Sequence, residues 1–275
     1  MIAVKLTNGF GNNLFQYNAG RLLADFLHQD IYGIVPSVDY YAIPCLEKLG
    51  FNLDHSLPPT YITVGDQQYS MSHHTDLRNN NIVLDGYFED YTIFKDNIDK
   101  IKQWYPKIDQ RDDKDLVIHF RAGDRLFYKN EFHYKPSVEK YINAMQQFDF
   151  SRLYIVTDMP KWDYINREQL EQMKFHYDVP QDQRVDPQMS VDYFNSFIDN
   201  FSKFNPVVKK RTIYEDFNFI RSFNNILFEH GTMSWWASVL SEASRVGVYG
   251  PWRAWKGNGN KNLSNIPLEG WFKWQ

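Results

Sequence analysis

The sequence predicts an α/β protein of two domains, each built on a mostly parallel sheet, and three observations lead there. Short β-branched runs alternate with longer segments of helical spacing, the pattern that puts crossover helices on a parallel sheet. A polar, turn-prone stretch, PKIDQRDDKD over 106–115, interrupts that alternation near the middle of the chain. A length of 275 residues suffices for one large core or two small ones. The expected division is an N-terminal domain over 1–112 and a C-terminal domain over 113–275, two Rossmann-like halves facing across a cleft.

In the first half, Ile2 to Thr7 reads as a strand and Asn8 to Asn13 as a turn, with Gly9 and Gly11 allowing backbone angles other residues avoid. A helix is expected from about Asn12 to His28, where Leu14, Asn18, Leu22 and Phe26 recur at helical spacing. Strand, glycine turn and helix together present backbone N–H groups to an anion, although the third glycine of GxGxxG is missing. Ile31 to Val35 is a short strand. The segment 36–80 reads as irregular, broken by Pro44, Pro58-Pro59 and Asn79-Asn80, with Tyr61 to Val64 its one strand. Ile82 to Phe88 is a further strand, and Glu89 to Tyr105 a helix stopped by Pro106.

The second half opens on Leu116 to Phe120, three apolar residues in a row and then His119-Phe120-Arg121, a buried strand ending in polar groups. Pro136 to Phe148 reads as a helix and Leu153 to Thr157 as a strand ending in Asp158. No pattern emerges from there to about Val207, where Pro180 and Pro187 flank a polar loop. A helix (Thr212 to Phe223), a strand (Ile226 to Phe228), a helix (Met233 to Ser244) and a strand (Val246 to Tyr249) follow. The tail carries Trp252, Trp255, Trp271 and Trp274.

Composition narrows the function. Net charge is −4, and the longest basic run is Lys209-Lys210-Arg211, so no nucleic-acid partner is expected. No apolar run approaches the 18 residues of a membrane span, and the chain opens on a strand rather than a signal sequence. Cys45 stands alone, which removes an intrachain disulfide and cysteine zinc sites; the expected compartment is cytoplasmic. There is no HExxH, no GxSxG and no GxxxxGK[ST], which speaks against a zinc hydrolase, a serine hydrolase and an ATP-dependent kinase.

Three places carry candidate chemistry. Arg121 ends a buried strand, where α/β sheets bind ligands, and its planar charged fork suits a diphosphate; alternatively it makes a surface pair with Asp124. Thr232 or Ser234 stands at an expected helix start, to donate to phosphate oxygens or simply to cap. Asp216 can accept from guanine N1 and N2, or complement a helix dipole. A departing nucleoside diphosphate suits this set better than a catalytic triad does.

Gly9-Phe10-Gly11-Asn12-Asn13-Leu14-Phe15-Gln16-Tyr17, with Gly20-Arg21 and Leu23-Ala24, resembles the opening motif of the α-1,2-fucosyltransferase family, close to GxGNQxFQYxxGRxLA. Asp85-Gly86-Tyr87-Phe88-Glu89 is similar to its GYFQ segment and His119-Phe120-Arg121-Ala122-Gly123-Asp124 to its HxRxGD motif. Glu215-Asp216-Phe217 and Thr232-Met233-Ser234-Trp235-Trp236-Ala237 are similar to its late segments. These matches keep their order from residue 8 to about 245. Asn13, Ala122, Gly231-Thr232 and Thr157-Asp158-Met159 depart from the pattern.

The resemblance implies a GT-B-like, inverting, metal-independent transferase that uses GDP-fucose on a glycan acceptor in α-1,2 linkage and needs no cofactor. It implies Arg121 on the β-phosphate, His119 near guanosine, Gly9, Gly11 and Asn12 on the donor, Thr232 and Ser234 on phosphate oxygens, and Asp216 on guanine. A general base is also required: Glu131 is the first choice, with Asp124, His133 and Glu89 as alternatives. Another GDP-sugar as donor, or a non-catalytic nucleotide- or glycan-binding module on the same scaffold, are the rival readings.

Overall fold

The computed structural model describes residues 1–69, 77–132, 135–173, 179–229, 231–250 and 270–275. The chain is α/β, with two parallel sheets in two compact units. Among the described residues the first unit comprises Met1–Lys107 and Thr232–Leu240, the second Ile108–Gly231, Ser241–Gly250 and 270–275. The first break thus falls inside the polar stretch 106–115, whereas 232–240, expected in the C-terminal domain, groups with the N-terminal unit.

The N-terminal sheet has five strands: β1 (Ile2–Lys5), β2 (Ile31–Ile34), β3 (Leu53–Asp54), β4 (Ile62–Val64) and β5 (Ile82–Leu84), in the order β3-β2-β1-β5-β4. Its main helix α1 (Phe10–Leu27) is buried on most sides and stops at His28, which takes the left-handed conformation at φ 56°. Gly20 lets α1 lie on the sheet, because a Cβ there would come within 2.3 Å of Val4 Cγ2. The α2 helix (Ile43–Lys48) begins around Pro44 inside the stretch expected to be irregular, where proline occupies a first-turn position rather than breaking structure. The expected helix over 89–105 is divided into α3 (Tyr91–Phe94), a 3₁₀ turn (Lys95–Asn97) and α4 (Ile98–Lys102).

Packing explains why 232–240 joins this unit. The α10 helix (Thr232–Val239) has Trp235 and Trp236 fully buried. Their rings lie 4.8 and 5.1 Å from that of Phe15 on α1, and Phe94 closes on Trp236 at 5.2 Å. Such pairs add about 0.5–1.5 kcal/mol each beyond the area they bury.

The C-terminal sheet holds β6 (Asp115–Phe120), β7 (Arg152–Thr157), β8 (Val207–Lys209), β9 (Asn225–Phe228), β10 (Arg245–Tyr249) and β11 (Trp271–Trp274), ordered β11-β10-β9-β6-β7-β8. Renumbered from β6 as strand one, that is the 3-2-1-4-5-6 order of the doubly wound Rossmann arrangement. Its helices are α5 (Lys129–Phe132), α6 (Val138–Met145), α7 (Arg167–Glu171), α8 (Pro187–Phe201) and α9 (Ile213–Arg221). The last strand belongs to the tail expected only to be tryptophan-rich; Trp252 and Trp255 lie outside the described residues. Segment 158–207, which shows no clear pattern in sequence, contains α8. Asp186 caps it through the Gln188 N–H at 2.9 Å, and Pro187 is its first residue rather than a loop marker. Val191, Phe194, Phe197, Ile198 and Phe201 of α8 are buried in a core that also takes Phe120, Tyr141 and Leu170. Among the described residues no helix is long and apolar enough to cross a membrane.

Candidate functional site

Ligands of open parallel sheets sit beyond the carboxyl ends of the strands, where the strand order reverses. In the N-terminal sheet the reversal lies between β1 and β5, and in the C-terminal sheet between β6 and β9. The carboxyl ends of those four strands, the loops leaving them and the helix starts that follow carry Gly9-Phe10-Gly11-Asn12, Asp85-Gly86-Tyr87-Phe88-Glu89, His119-Phe120-Arg121-Ala122-Gly123-Asp124, and Glu229 with Gly231-Thr232. The motif segments singled out for chemistry, apart from Glu215-Asp216, therefore adjoin a reversal point of one sheet, while the base candidate Glu131 lies further along the chain.

In the N-terminal unit the two loops are tied together by Gln16. Its amide accepts from the Thr7 N–H at 3.0 Å and donates to the Gly86 carbonyl at 2.9 Å. Two residues here have positive φ, Asn8 at 61° and Phe88 at 53°. The Phe88 value is unusual for a bulky residue and has a cause. The Asp66 carboxylate accepts from the N–H groups of both Tyr87 (3.1 Å) and Phe88 (2.5 Å), and the Phe88 ring is buried. Phe88 thus leaves the strand expected to run to it. The Tyr40 and Tyr41 hydroxyls both donate to the Asn8 carbonyl.

The glycines of this loop differ from expectation. Gly9 is extended at φ −82° and Gly11 is helical, so neither supplies a special backbone angle; Asn8 does. Gly11 is required for contact instead: a Cβ there would lie 2.1 Å from Met233 N and 2.4 Å from Thr232 Oγ1. Asn12 donates to Glu89 Oε1 at 3.0 Å and accepts from the Thr232 hydroxyl at 2.8 Å. Thr232 is the first residue of α10 and its hydroxyl is used by Asn12; Ser234 is fully buried within that helix.

In the C-terminal unit, His119 at the end of β6 is buried, and its pKa falls to about 3. Burial is the main cause, followed by the charges of Arg121, Lys135 and Arg125. The imidazole is neutral at any physiological pH. Arg121 is partly open to solvent, with Nη2 3.4 Å from Asp124 Oδ1, a loose pair. Its backbone is held more firmly. Asp158, at the end of neighbouring β7, accepts from the Ala122 N–H at 2.8 Å and the Gly123 N–H at 2.9 Å. A Cβ on Gly123 would meet Asp158 Oδ2 at 2.3 Å, so only glycine admits this contact. Burial raises the Asp158 pKa, while Arg121 and the two N–H donors pull the other way. From the far side Lys135 donates to the Arg121 carbonyl at 2.7 Å and to Glu229 Oε1 at 2.8 Å.

Asp216 lies in the first turn of α9, a helix started by a reciprocal capping box between Thr212 and Glu215. Its carboxyl is buried, and burial pushes its pKa up to about 6. Oδ2 receives a long contact from the Arg211 N–H at 3.4 Å; Oδ1 has no hydrogen bond among the described residues. Glu131 falls in the short helix α5 rather than in a loop; its side chain, and His133, lie outside the described residues.

The predicted site residues therefore fall into two sets. Gly9, Gly11, Asn12, Thr232 and Ser234 are together in the N-terminal unit, and His119, Arg121, Asp124, Glu131 and Asp216 belong to the C-terminal one. Sequence reading missed Lys135, Glu229 and the holding role of Asp158. Only Asp158 had a signal, an acid directly after a β-branched strand. Among the described residues no three His, Cys, Asp or Glu side chains converge as a metal site would require. No family model matches the chain, and no curated protein sequence matches it either.

Proposed function

We propose that this chain is a GT-B-type glycosyltransferase that moves fucose from GDP-fucose to a hydroxyl of a glycan, with inversion and in α-1,2 linkage. The observation that carries the reading is Arg121. A guanidinium projects from a loop at the reversal point of a Rossmann-ordered sheet, within a segment resembling the HxRxGD motif. In an inverting transfer the acceptor oxygen forms its bond to the anomeric carbon as the bond to the β-phosphate oxygen breaks. The diphosphate leaves with the electron pair, and a base takes the hydroxyl proton. Arg121 stabilises the charge that grows on the leaving diphosphate, a role positive groups fill strongly when held in place beforehand.

Asp216 supports the choice of guanine. A buried carboxylate whose Oδ1 has no hydrogen bond among the described residues matches the two adjacent N–H donors of that base, which uracil and adenine do not offer in the same array. Glu131 is the proposed base, with Asp124 and Glu89 next in order. Gly11 and Ser234 are occupied by helix packing, and the proposal does not use them.

Calorimetric titration with GDP, UDP and ADP, each with and without EDTA, tests the reading. Binding of GDP alone, indifferent to EDTA, is expected, followed by acceptor-dependent GDP release from GDP-fucose. Preference for UDP or a metal requirement overturns it. GDP binding without turnover of any GDP-sugar would instead leave the binding-module reading.

A further inference from the structure

We infer that Lys135, Glu229 and Asp158 are positioning residues for Arg121, a clamp that fixes its loop from both neighbouring strands. The inference rests on the proposed role of Arg121 at a departing diphosphate. Arg121 follows β6, and β6 lies between β7 and β9. Each neighbour ends in an acid directed at the β6 loop: Asp158 after β7 and Glu229 after β9. Asp158 takes the loop's N–H groups directly, at 2.8 and 2.9 Å. Glu229 cannot accept from a carbonyl, so Lys135 stands between them and donates to Glu229 and to the Arg121 carbonyl. Three consecutive residues, 121–123, thus have a backbone group anchored to a charged side chain.

The chemistry of the pair separates this role from catalysis. The Lys135 and Glu229 side chains are 2% and 1% exposed, the only ion pair among those described in which both partners are so deeply buried. The Lys135 ammonium also lies 5.0 Å from the Phe120 ring centroid and 5.6 Å from that of Tyr193, and burial lowers its pKa against the pull of Glu229. Neither group is open to a substrate. An apolar pair of similar volume is often at least as stable as a buried ion pair, so stability alone does not account for it. Holding the Arg121 carbonyl does, because an error of about 1 Å in a catalytic group can cost about 10²-fold in rate.

The test compares Lys135→Met, Glu229→Gln and the double variant Lys135→Met/Glu229→Leu with wild type. Measured are the melting midpoint, GDP affinity, and kcat and KM for GDP-fucose. Each single variant strands a buried charge or removes its partner and melts earlier. The double variant is expected to regain the wild-type midpoint while kcat stays down about 10²-fold and KM moves only a few-fold. Recovery of kcat together with stability overturns the inference. Asp158→Asn, which keeps one carbonyl oxygen for the Ala122 and Gly123 N–H groups, should retain more turnover than Asp158→Ala; equal losses also count against it. If wild type neither binds GDP nor turns over GDP-fucose, the transferase reading has failed. Amide hydrogen exchange at Ala122 and Gly123 then decides the clamp by itself: faster exchange in Asp158→Ala and in the double variant supports it, and unchanged exchange refutes it.

Discussion

Replacing Gly11 by alanine should destabilise the protein far more than the same change at Gly9, although the two glycines stand two residues apart at the start of α1. The methyl group at residue 11 would sit 2.1 Å from Met233 N and 2.5 Å from the Thr232 carbonyl carbon, both backbone atoms of α10. Neither can yield unless α10 moves off α1 and disturbs the contact of Phe15 with Trp235 and Trp236. Inserting a methylene into a packed interior costs about 1–3 kcal/mol, and a clash this close belongs at the upper end. Alanine recovers up to about 1 kcal/mol of helix propensity, leaving a net loss of about 2 kcal/mol. At about 2–4 °C per kcal/mol for a chain of this size, the melting midpoint falls by roughly 4–8 °C. At residue 9 the nearest atom to a new Cβ is the Tyr41 hydroxyl oxygen at 3.5 Å, and φ −82° suits any residue. The loss there is confined to the weaker capping of alanine, under about 1 kcal/mol. Urea unfolding followed by tryptophan fluorescence reads both, since Trp235 and Trp236 lie in the affected contact. Equal losses at the two positions, or none at Gly11, would refute the packing argument.

Further expectations concern the C-terminal unit. Arg121→Ala should lower transfer by at least about 10²–10³-fold with little change in melting, since its pair with Asp124 is loose and partly exposed; unchanged turnover removes it from the site. Glu131→Gln should cut turnover by about 10²–10⁴-fold if it is the base, and near-normal activity passes the role to Asp124 or Glu89. GDP affinity should rise with pH through about 6 and then level off, because Asp216 must be ionised to accept from guanine. Asp216→Asn should bind weakly and show no such step. Without ligand the same raised pKa acts in the opposite sense. The Asp216 contribution to stability is full below its unfolded value near 3.8 and is lost as pH rises through about 6.

How much of this could be read from the residues depends on how local each cause is. The β6 strand and its polar end were legible because a run of apolar residues followed by His119, Arg121 and Asp124 states both burial and exposure within ten positions. Helix α8 is legible in principle: Val191, Phe194, Phe197, Ile198 and Phe201 recur at helical spacing, and Asp186-Pro187 is a helix start signal that also has the composition of a loop. The left-handed Phe88 was not legible. Its conformation follows from the Asp66 carboxylate 22 residues earlier, and no neighbour of Phe88 announces that contact. Lys135 was hidden for the same reason, since Arg121 is 14 positions away and Glu229 94. The return of 232–240 to the N-terminal unit depends on Gly11, whose missing side chain reads in sequence as backbone freedom and acts in the fold as space.

Within the opening segment Gly11 admits α10, Gln16 joins two loops, the Tyr17 hydroxyl accepts from the Asn52 N–H at 3.1 Å and Gly20 seats α1 on the sheet. All four serve architecture, so a protein could keep the whole segment and have no transferase chemistry at all. The distinction between an enzyme and a binding module on the same scaffold therefore falls to groups whose positions packing does not require. Asp216 buries a carboxylate at the cost of a raised pKa and an Oδ1 without a hydrogen bond among the described residues, and Arg121 places a permanent charge just past the carboxyl end of β6, partly open to solvent. A nucleotide-binding module gains from the first. Only a reaction in which negative charge grows on a leaving group gains further from the second, which is why Arg121 and not the opening motif discriminates between the two readings.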